Sequence, residues 1–193
     1  MIHRAAIGLG ANLSWRGGAP VQTVLAAMED LTTVGLVFAR SSLYCTAPVG
    51  SIDQPPFVNA VVLLETALDP EGLLEFLLAT ERCYGRDRVR ELPKGPRTLD
   101  LDLLMMNDLV LQTPLLTLPH PALAERRFVL APLAEIVPEL RHPVLNKTMA
   151  ELLAALPDEG ANRVENVRKI EVDLEQELRH GFEDETEPGQ PIL

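Results

Sequence analysis

The chain has 193 residues, of which 47% are hydrophobic, and its 17 Lys or Arg against 28 Asp or Glu give a formal net charge of −11. This length suits one domain with a substantial core, and the apolar fraction excludes an intrinsically disordered chain. No apolar run approaches the roughly 18 residues that a membrane-spanning helix requires. The acidic balance also argues against a general nucleic-acid-binding protein, because such proteins rely on Lys and Arg contacts to phosphate.

The hydrophobic pattern predicts alternating strands and helices. Short apolar runs predict strands at residues 2–9, 36–45, 57–66, 98–105 and 109–111. The glycine-rich sequence at residues 8–12, in which the first of them ends, is interpreted as a turn. Apolar residues at helical spacing predict helices at residues 21–31 and 70–84, each begun by a proline, and shorter helices at 125–135 and 149–156. The resulting β-α-β-β-α-β order is typical of a ferredoxin-like α+β fold, with an antiparallel sheet and helices packed mainly on one face.

The composition changes near residue 158. Residues 158–193 hold 11 acidic and 4 basic residues, a net charge of −7, which leaves −4 for residues 1–157. We therefore expect a compact domain at residues 1–157 and an acidic C-terminal extension at residues 158–193, disordered from residue 183 onward. The apolar spacing at residues 164–178 fits a helix, whereas residues 170–174 also alternate as a strand does.

The N-terminus and the cysteines indicate a cytoplasmic protein. No long apolar stretch or cleavage site typical of a signal peptide opens the sequence. Cys45 and Cys83 lie far apart and form no C-x-x-C motif, which argues against a zinc site or a disulfide framework. We expect neither membrane nor nucleic-acid binding.

Asp100 and Asp102 are the first candidate site residues. Because they are two residues apart in a predicted strand, both carboxylates point to the same face of the sheet. Neighbouring carboxylates repel unless a cation lies between them or one is protonated. Mg²⁺ prefers oxygen ligands, and water or phosphate oxygens usually complete its coordination. The pair therefore predicts a magnesium site.

A basic loop leads into this acidic pair. Residues 82–97 contain six basic residues and two acidic ones, a net charge of +4 within an acidic protein. Arginine binds phosphate oxygens bidentately and stays charged. Phosphoryl transfer depends mostly on positioning and charge neutralisation, so cations for a polyphosphate beside carboxylates for a metal suit a magnesium-bound nucleotide. Downstream, His120 stands between two prolines and ahead of two arginines, which favours a functional role for its imidazole.

These motifs resemble those of the 6-hydroxymethyl-7,8-dihydropterin pyrophosphokinase family of folate biosynthesis. The resemblance rests on Gly-Pro-Arg-Thr-Leu-Asp-Leu-Asp-Leu-Leu at residues 95–104, Ile-Gly-Leu-Gly-Ala-Asn-Leu at 7–13, residues 42–50 and 53–60, Leu-Pro-His-Pro at 118–121, and Arg-Arg-Phe-Val-Leu-Ala-Pro-Leu at 126–133. It covers roughly residues 2–156, in the family's order. It implies an ATP-dependent diphosphotransferase that moves the terminal diphosphate of ATP to the hydroxymethyl group of a reduced pterin, releases AMP and uses two Mg²⁺ ions.

The resemblance also implies a role for each matching residue. Both Mg²⁺ ions would lie on Asp100 and Asp102. The pterin would be bound by the residues that match its pocket: Thr46, Val49, Phe57, Asn59 and Phe128. The nucleotide would be bound by six mostly cationic residues: Glu81, Arg86, Arg88, Arg97, His120 and Arg126. Four of them would also be catalytic: Arg86, Arg97, His120 and Arg126. We expect direct in-line attack of the pterin hydroxyl on the β-phosphorus of ATP, since neither cysteine has an adjacent base.

The sequence departs from the family pattern in the basic loop, which is one residue longer than is common. Lys94 also stands where an aromatic residue often precedes Gly-Pro-Arg. Counted from Gly85, Arg86 is the catalytic-loop arginine. Counted from Gly95, the matching position is Asp87, which cannot serve, and Arg88 is then the alternative.

Two other classes of protein share single features with this chain. A D-x-D glycosyltransferase also uses a metal-binding carboxylate pair but normally needs a larger α/β scaffold. A ferredoxin-like nucleic-acid module would need exposed aromatic residues on its sheet and a basic face. Both are disfavoured by the length, the aliphatic strands and the acidic charge.

Overall fold

The computed structural model describes residues 1–50, 52–88 and 95–171. Within these ranges the chain forms eight strands: β1 (His3–Ala11), β2 (Gly35–Arg40), β3 (Leu43–Thr46), β4 (Phe57–Thr66), β5 (Asp100–Met106), β6 (Leu111–Gln112), β7 (Thr117–Leu118) and β8 (Val167–Ile170). The same ranges contain four α-helices: α1 (Pro20–Asp30), α2 (Pro70–Cys83), α3 (Arg127–Ile136) and α4 (Met149–Ala155). Among the helices described, none has the length and apolar character that crossing a bilayer requires.

The main sheet is antiparallel and has the strand order β5-β1-β4-β3-β8, with β2 also paired to β4. The first five strands and two helices have the order β-α-β-β-β-α-β, which is the predicted β-α-β-β-α-β order with one predicted strand divided in two. The α+β fold class is confirmed. The strand predicted at residues 36–45 is wrong, because it is divided into β2 and β3 at Ser41. There the backbone N–H of Ser41 donates to the Val61 carbonyl (2.9 Å), and its hydroxyl accepts from the Val61 N–H (2.9 Å). The side chain thus replaces a regular ladder contact.

Helices cover both faces of the sheet, so the expectation of one main helical face is corrected. On one face, α1 packs on β1 and β4 and α2 packs on β5, over alternate strand residues that include Ile7, Val62 and Leu64. On the other face, α3 and α4 pack on the intervening residues, such as Ala6 and Leu63. The reason is visible in β4, where seven consecutive residues are buried. A strand that is apolar on both faces needs cover on both.

The acidic extension begins inside the fold. Strand β8 pairs antiparallel with β3, and the Asn162 side chain accepts from the Arg127 backbone N–H (2.9 Å) and donates to the Glu125 carbonyl (2.8 Å). The sheet therefore continues past the boundary at residue 157 that the composition predicts. Residues 167–170 of this segment form strand β8. The strand predicted at residues 170–174 and the alternative helix at residues 164–178 both depend on residues beyond 171, which lie outside the described residues. The predicted disorder from residue 183, and the predictions that concern Arg90 and Lys94, lie outside the described residues.

Candidate active site

The floor of the candidate site is formed by three adjacent strands, β4, β1 and β5. Gly10 of β1 pairs with Asn59 on one side and with Asp100 on the other, and Gly8 pairs in the same way with Val61 and Asp102. A Cβ atom on Gly10 would lie only 2.7 Å from Asn59 Oδ1. Gly10 therefore leaves open the space between the side chains of Asn59 and Asp100.

This floor corrects the prediction that Gly8 and Gly10 belong to a turn, since β1 continues to Ala11. The signal was present in the sequence. Gly-x-Gly has the same period of two as Asp-x-Asp, as expected of neighbouring strands that share one face.

A cavity of about 230 Å³ lies above this floor. It brings together nine of the predicted site residues: Thr46, Val49, Phe57, Asn59, Arg97, Asp100, Asp102, Arg126 and Phe128. Four other predicted site residues do not line it: Glu81, Arg86, Arg88 and His120. The cavity also contacts Ala47, Leu104 and Val129, which sequence reasoning missed because small and aliphatic side chains carry no chemical signal.

One half of the cavity combines aromatic rings with a buried amide. Asn59 and Thr46 are both buried, and Asn59 Nδ2 donates to Thr46 Oγ1 at 2.7 Å. The Arg97 guanidinium lies 5.8 Å from the centre of the Phe57 ring, and that of Arg126 lies 5.6 Å from the centre of the Phe128 ring. Each ring thus adjoins a cation, so a flat ligand and an anionic group can be bound side by side.

The other half of the cavity holds the acidic pair. Asp100 forms ion pairs with Arg86 and with Arg97, the latter at 2.6 Å. Although burial raises the pKa of Asp100, the charges of Arg86 and Arg97 outweigh it and hold that pKa below its ordinary value. Burial and the Asp100 charge together raise the pKa of Asp102. The two carboxylates therefore have unequal surroundings.

Asp102 has room for an added cation. In the described ranges, no side chain or backbone group donates a hydrogen bond to the Asp102 carboxylate. Those ranges also contain no cluster of three or more His, Cys, Asp or Glu residues, so the protein would offer a metal ion two carboxylates and little else. This donor set fits Mg²⁺, which retains several waters and takes further oxygens from a bound phosphate.

Beneath the cavity, Glu81 connects α2 to β5. Its carboxylate is 1% exposed and accepts from the Leu101 backbone N–H at 2.8 Å. It forms an ion pair with Arg86 and a bidentate pair with Arg88, whose Nε donates to Oε2 and whose Nη2 donates to Oε1, both at 2.9 Å. Burial raises the pKa of Glu81, and the Leu101 N–H and the two guanidinium groups partly offset this rise. Glu81 thus contacts the loop arginines and is not on the cavity wall.

The two loop arginines differ in environment. The Arg86 side chain is 7% exposed and contacts both Glu81 and Asp100, whereas that of Arg88 is 51% exposed and contacts Glu81. Of the two, Arg86 is the one in contact with the acidic pair.

His120 lies at the edge of the acidic half. Its backbone N–H donates to the Leu104 carbonyl at 2.8 Å, and its Nδ1 accepts from the Ala122 N–H at 3.2 Å. With Nδ1 as acceptor, the neutral ring carries its proton on Nε2. A positive charge on His120 would lower the pKa of Asp102, so the two groups are electrostatically connected.

Asn12 is a site residue that sequence reasoning did not single out. It is buried, and its Oδ1 accepts from the Arg97 backbone N–H at 2.8 Å. Its Nδ2 donates to Gln54 Oε1 and to the Pro55 carbonyl, both at 3.0 Å. Asn12 therefore joins the end of the basic loop to the loop that precedes β4.

The fold and this cavity together define a class of protein, a ferredoxin-like transferase that binds a phosphorylated substrate beside a flat ring. Comparison with known proteins identifies the family. Residues 6–138 match the family model for 7,8-dihydro-6-hydroxymethylpterin-pyrophosphokinase (HPPK). The chain belongs to this family.

Curated relatives and solved structures agree with that assignment. The 2-amino-4-hydroxy-6-hydroxymethyldihydropteridine pyrophosphokinase of Pseudomonas aeruginosa is 46% identical over 164 residues, covering 85% of this chain and 98% of the relative. The protein of the same name from Methylorubrum extorquens is 43% identical over 164 residues, covering 84% and 99%. A Plasmodium falciparum HPPK-DHPS structure has a TM-score of 0.68 at 17% identity and supports the fold. The match covers 89% of this chain but 48% of that longer one.

Proposed function

We propose that the chain transfers the terminal diphosphate of ATP to the hydroxymethyl group of 6-hydroxymethyl-7,8-dihydropterin, giving AMP and the pterin diphosphate in folate biosynthesis. Membership of the HPPK family supports this function. The observation that supports roles for particular residues in this function is one shared cavity. The acidic pair, two arginines, a buried asparagine and two phenylalanines all line it.

The pterin would occupy the half of the cavity at Asn59. An amide presents both donors and an acceptor, which match the polar edge of a pterin. Thr46 holds that amide in place through the 2.7 Å hydrogen bond. Phe57 and Phe128 would enclose the flat ring, and Val49, which is 38% exposed, would cover it at the mouth of the cavity.

Asp100 and Asp102 would hold Mg²⁺, and the family resemblance implies two ions. A bound metal ion would neutralise phosphate charge beside the acidic pair. The raised pKa of Asp102 reflects burial and the repulsion from Asp100, and a cation would relieve that repulsion.

In the reaction, the pterin hydroxyl oxygen forms a bond to the β-phosphorus of ATP. The bond from that phosphorus to the oxygen bridging the α-phosphate breaks, AMP leaves with its electron pair, and the hydroxyl proton passes to solvent. Arg97 and Arg126 stand beside the two aromatic rings, where they can contact the phosphates next to the pterin. His120 can donate from Nε2 to a phosphate oxygen.

The basic loop contributes Arg86 as its catalytic-loop arginine. Support comes from its contact with Asp100, which Arg88 does not share. Glu81 acts through these two arginines, because it is fully buried beneath them. Arg88, with the more exposed side chain, binds the nucleotide from the outer side of the loop.

The direct test is to incubate the protein with ATP, Mg²⁺ and 6-hydroxymethyl-7,8-dihydropterin and to identify both products by liquid chromatography. The proposal predicts AMP and a diphosphorylated pterin in equal amounts. The appearance of ADP with a monophosphorylated pterin, or the absence of any pterin-dependent nucleotide consumption, would refute it.

A further inference from the structure

Trp15, the only tryptophan of the chain, lies in a tight hairpin between β1 and α1. Its backbone exchanges hydrogen bonds with Gly18, with N···O distances of 3.1 and 2.9 Å. The two residues of the turn, Arg16 and Gly17, have φ angles of 47° and 84°, as a type I′ turn requires. The hairpin therefore presents Trp15 from a well-defined backbone. The residue does not line the cavity.

The Trp15 ring lies directly against Gly85, the residue that precedes Arg86. A Cβ atom on Gly85 would lie 2.1 Å from Trp15 Cζ3 and 2.3 Å from Cη2, so no other residue fits against this ring without displacement. Gly85 also has a φ angle of 77°, which favours glycine. Directly after it, the Arg86 N–H donates to the Glu81 carbonyl at 3.0 Å. Trp15 thus packs on the point where the chain leaves α2 and enters the basic loop.

The same β1–α1 connection also holds the far end of that loop. The backbone N–H groups of Asn12 and Leu13 both donate to the Arg97 carbonyl, at 3.0 and 3.1 Å. Residues 12–18 therefore contact the basic loop at both ends, through hydrogen bonds to Arg97 and through the Trp15 ring on Gly85.

We infer that Trp15 is a positioning residue for the nucleotide side of the site, an inference that rests on the proposed function. Arg86 and Arg97 lie on backbone that the β1–α1 connection contacts, and a held backbone has fewer conformations to lose when its arginines bind phosphate. Trp15 fixes the end next to Arg86. Asn59 lies on β4, on the opposite side of β1 from the acidic strand β5. Trp15 does not line the half of the cavity at Asn59, so pterin affinity does not depend on this ring.

The Arg16 guanidinium lies 5.5 Å from the centre of the Trp15 ring, so Arg16 cannot serve as a neutral control. The first test compares Trp15→Ala with Trp15→Phe and with Ser14→Ala, a control at an exposed residue of the same connection. Trp15→Ala is expected to lower kcat/KM for ATP about tenfold, since a small misplacement of a positioning group is costly. Trp15→Phe should restore most of the loss and Ser14→Ala should match the wild type. The dissociation constant of the pterin should stay within about twofold in all three.

A double-mutant cycle with Gly85→Ala isolates the contact itself. The Ala methyl group would collide with the ring in the wild type but not in Trp15→Ala, so the two losses in kcat/KM should be clearly less than additive. The single tryptophan gives a second readout, because displacing its ring should increase acrylamide quenching of fluorescence in Gly85→Ala. Additive losses, or a Trp15→Ala enzyme with unchanged ATP kinetics, would overturn the inference. An inactive wild type would instead refute the proposed function.

Discussion

Replacing Glu81 by alanine tests the network beneath the site. The carboxylate is almost fully buried and is shared by the Leu101 backbone N–H, Arg86 and Arg88. Its removal leaves the Leu101 N–H without an acceptor inside the protein. It also deprives Arg86, whose side chain is 7% exposed, of one of the two carboxylates that it contacts.

The size of the effect follows from these contacts. Breaking a buried ion pair by removing one partner typically costs about 3–5 kcal/mol. Because Asp100 remains beside Arg86, we expect the lower end of that range, about 3 kcal/mol. With a urea m-value of about 2 kcal/mol/M for a small domain, the unfolding midpoint should fall by about 1.5 M. Glu81→Gln keeps an oxygen for Leu101 and should lose less.

The assay is equilibrium urea unfolding followed by circular dichroism, with Glu75→Ala as a matched control from the exposed side of the same helix. Glu75 is exposed, so its replacement should change the free energy of unfolding by less than about 0.5 kcal/mol. A Glu81→Ala protein within about 1 kcal/mol of this control would refute the reasoning, because the buried carboxylate would then contribute nothing that matters to stability.

Three further predictions concern the acidic pair, the pterin pocket and the edge of the sheet. Asp102→Asn should reduce turnover at least about hundredfold. Its free energy of unfolding should be unchanged or higher, because repulsion from Asp100 is removed; near-normal turnover would exclude the metal assignment. Asn59→Ala should weaken pterin binding about tenfold or more in equilibrium titrations, with KM for ATP unchanged; an unaltered pterin affinity would remove Asn59 from the pocket. Partial burial raises the pKa of Glu135, but hydrogen bonds from Lys169 and Ser42 outweigh it and hold that pKa below 4.5. The stabilisation that ionised Glu135 provides is therefore present above pH 4.5 and is lost as the pH falls further. The free energy of unfolding of Glu135→Gln, measured with urea, should decrease less steeply with falling pH than that of the wild type. The same dependence of the free energy of unfolding on acidic pH in both proteins would contradict this prediction.

The sequence predicted correctly those features that depend on residue type and on spacing within one segment. Asp100 and Asp102 at a spacing of two place both carboxylates on one face, and the structure has them in one cavity with Arg97. Strand β4 was predicted with its observed bounds because its mostly apolar run follows two prolines and is followed by Asp-Pro at residues 69–70.

Other features depend on contacts between distant segments, which no local pattern shows. Glu81 was assigned to nucleotide binding, yet its helix turns it under the arginines. Strand β8 has only four residues, and its pairing with β3 is apparent only once the sheet edge exists. The packing of Trp15 on Gly85 joins segments 70 residues apart, and neither residue alone suggests a role.

The proposed transfer requires that the pterin hydroxyl attacks the β-phosphorus of ATP in this cavity. The experiment is an incubation of the protein with the pterin, Mg²⁺ and ATP carrying ³²P at the β-position. Attack at the β-phosphorus transfers all of the label to the pterin product and releases unlabelled AMP. Label retained in a released nucleoside diphosphate would show attack at the γ-phosphorus and would refute the proposed transfer.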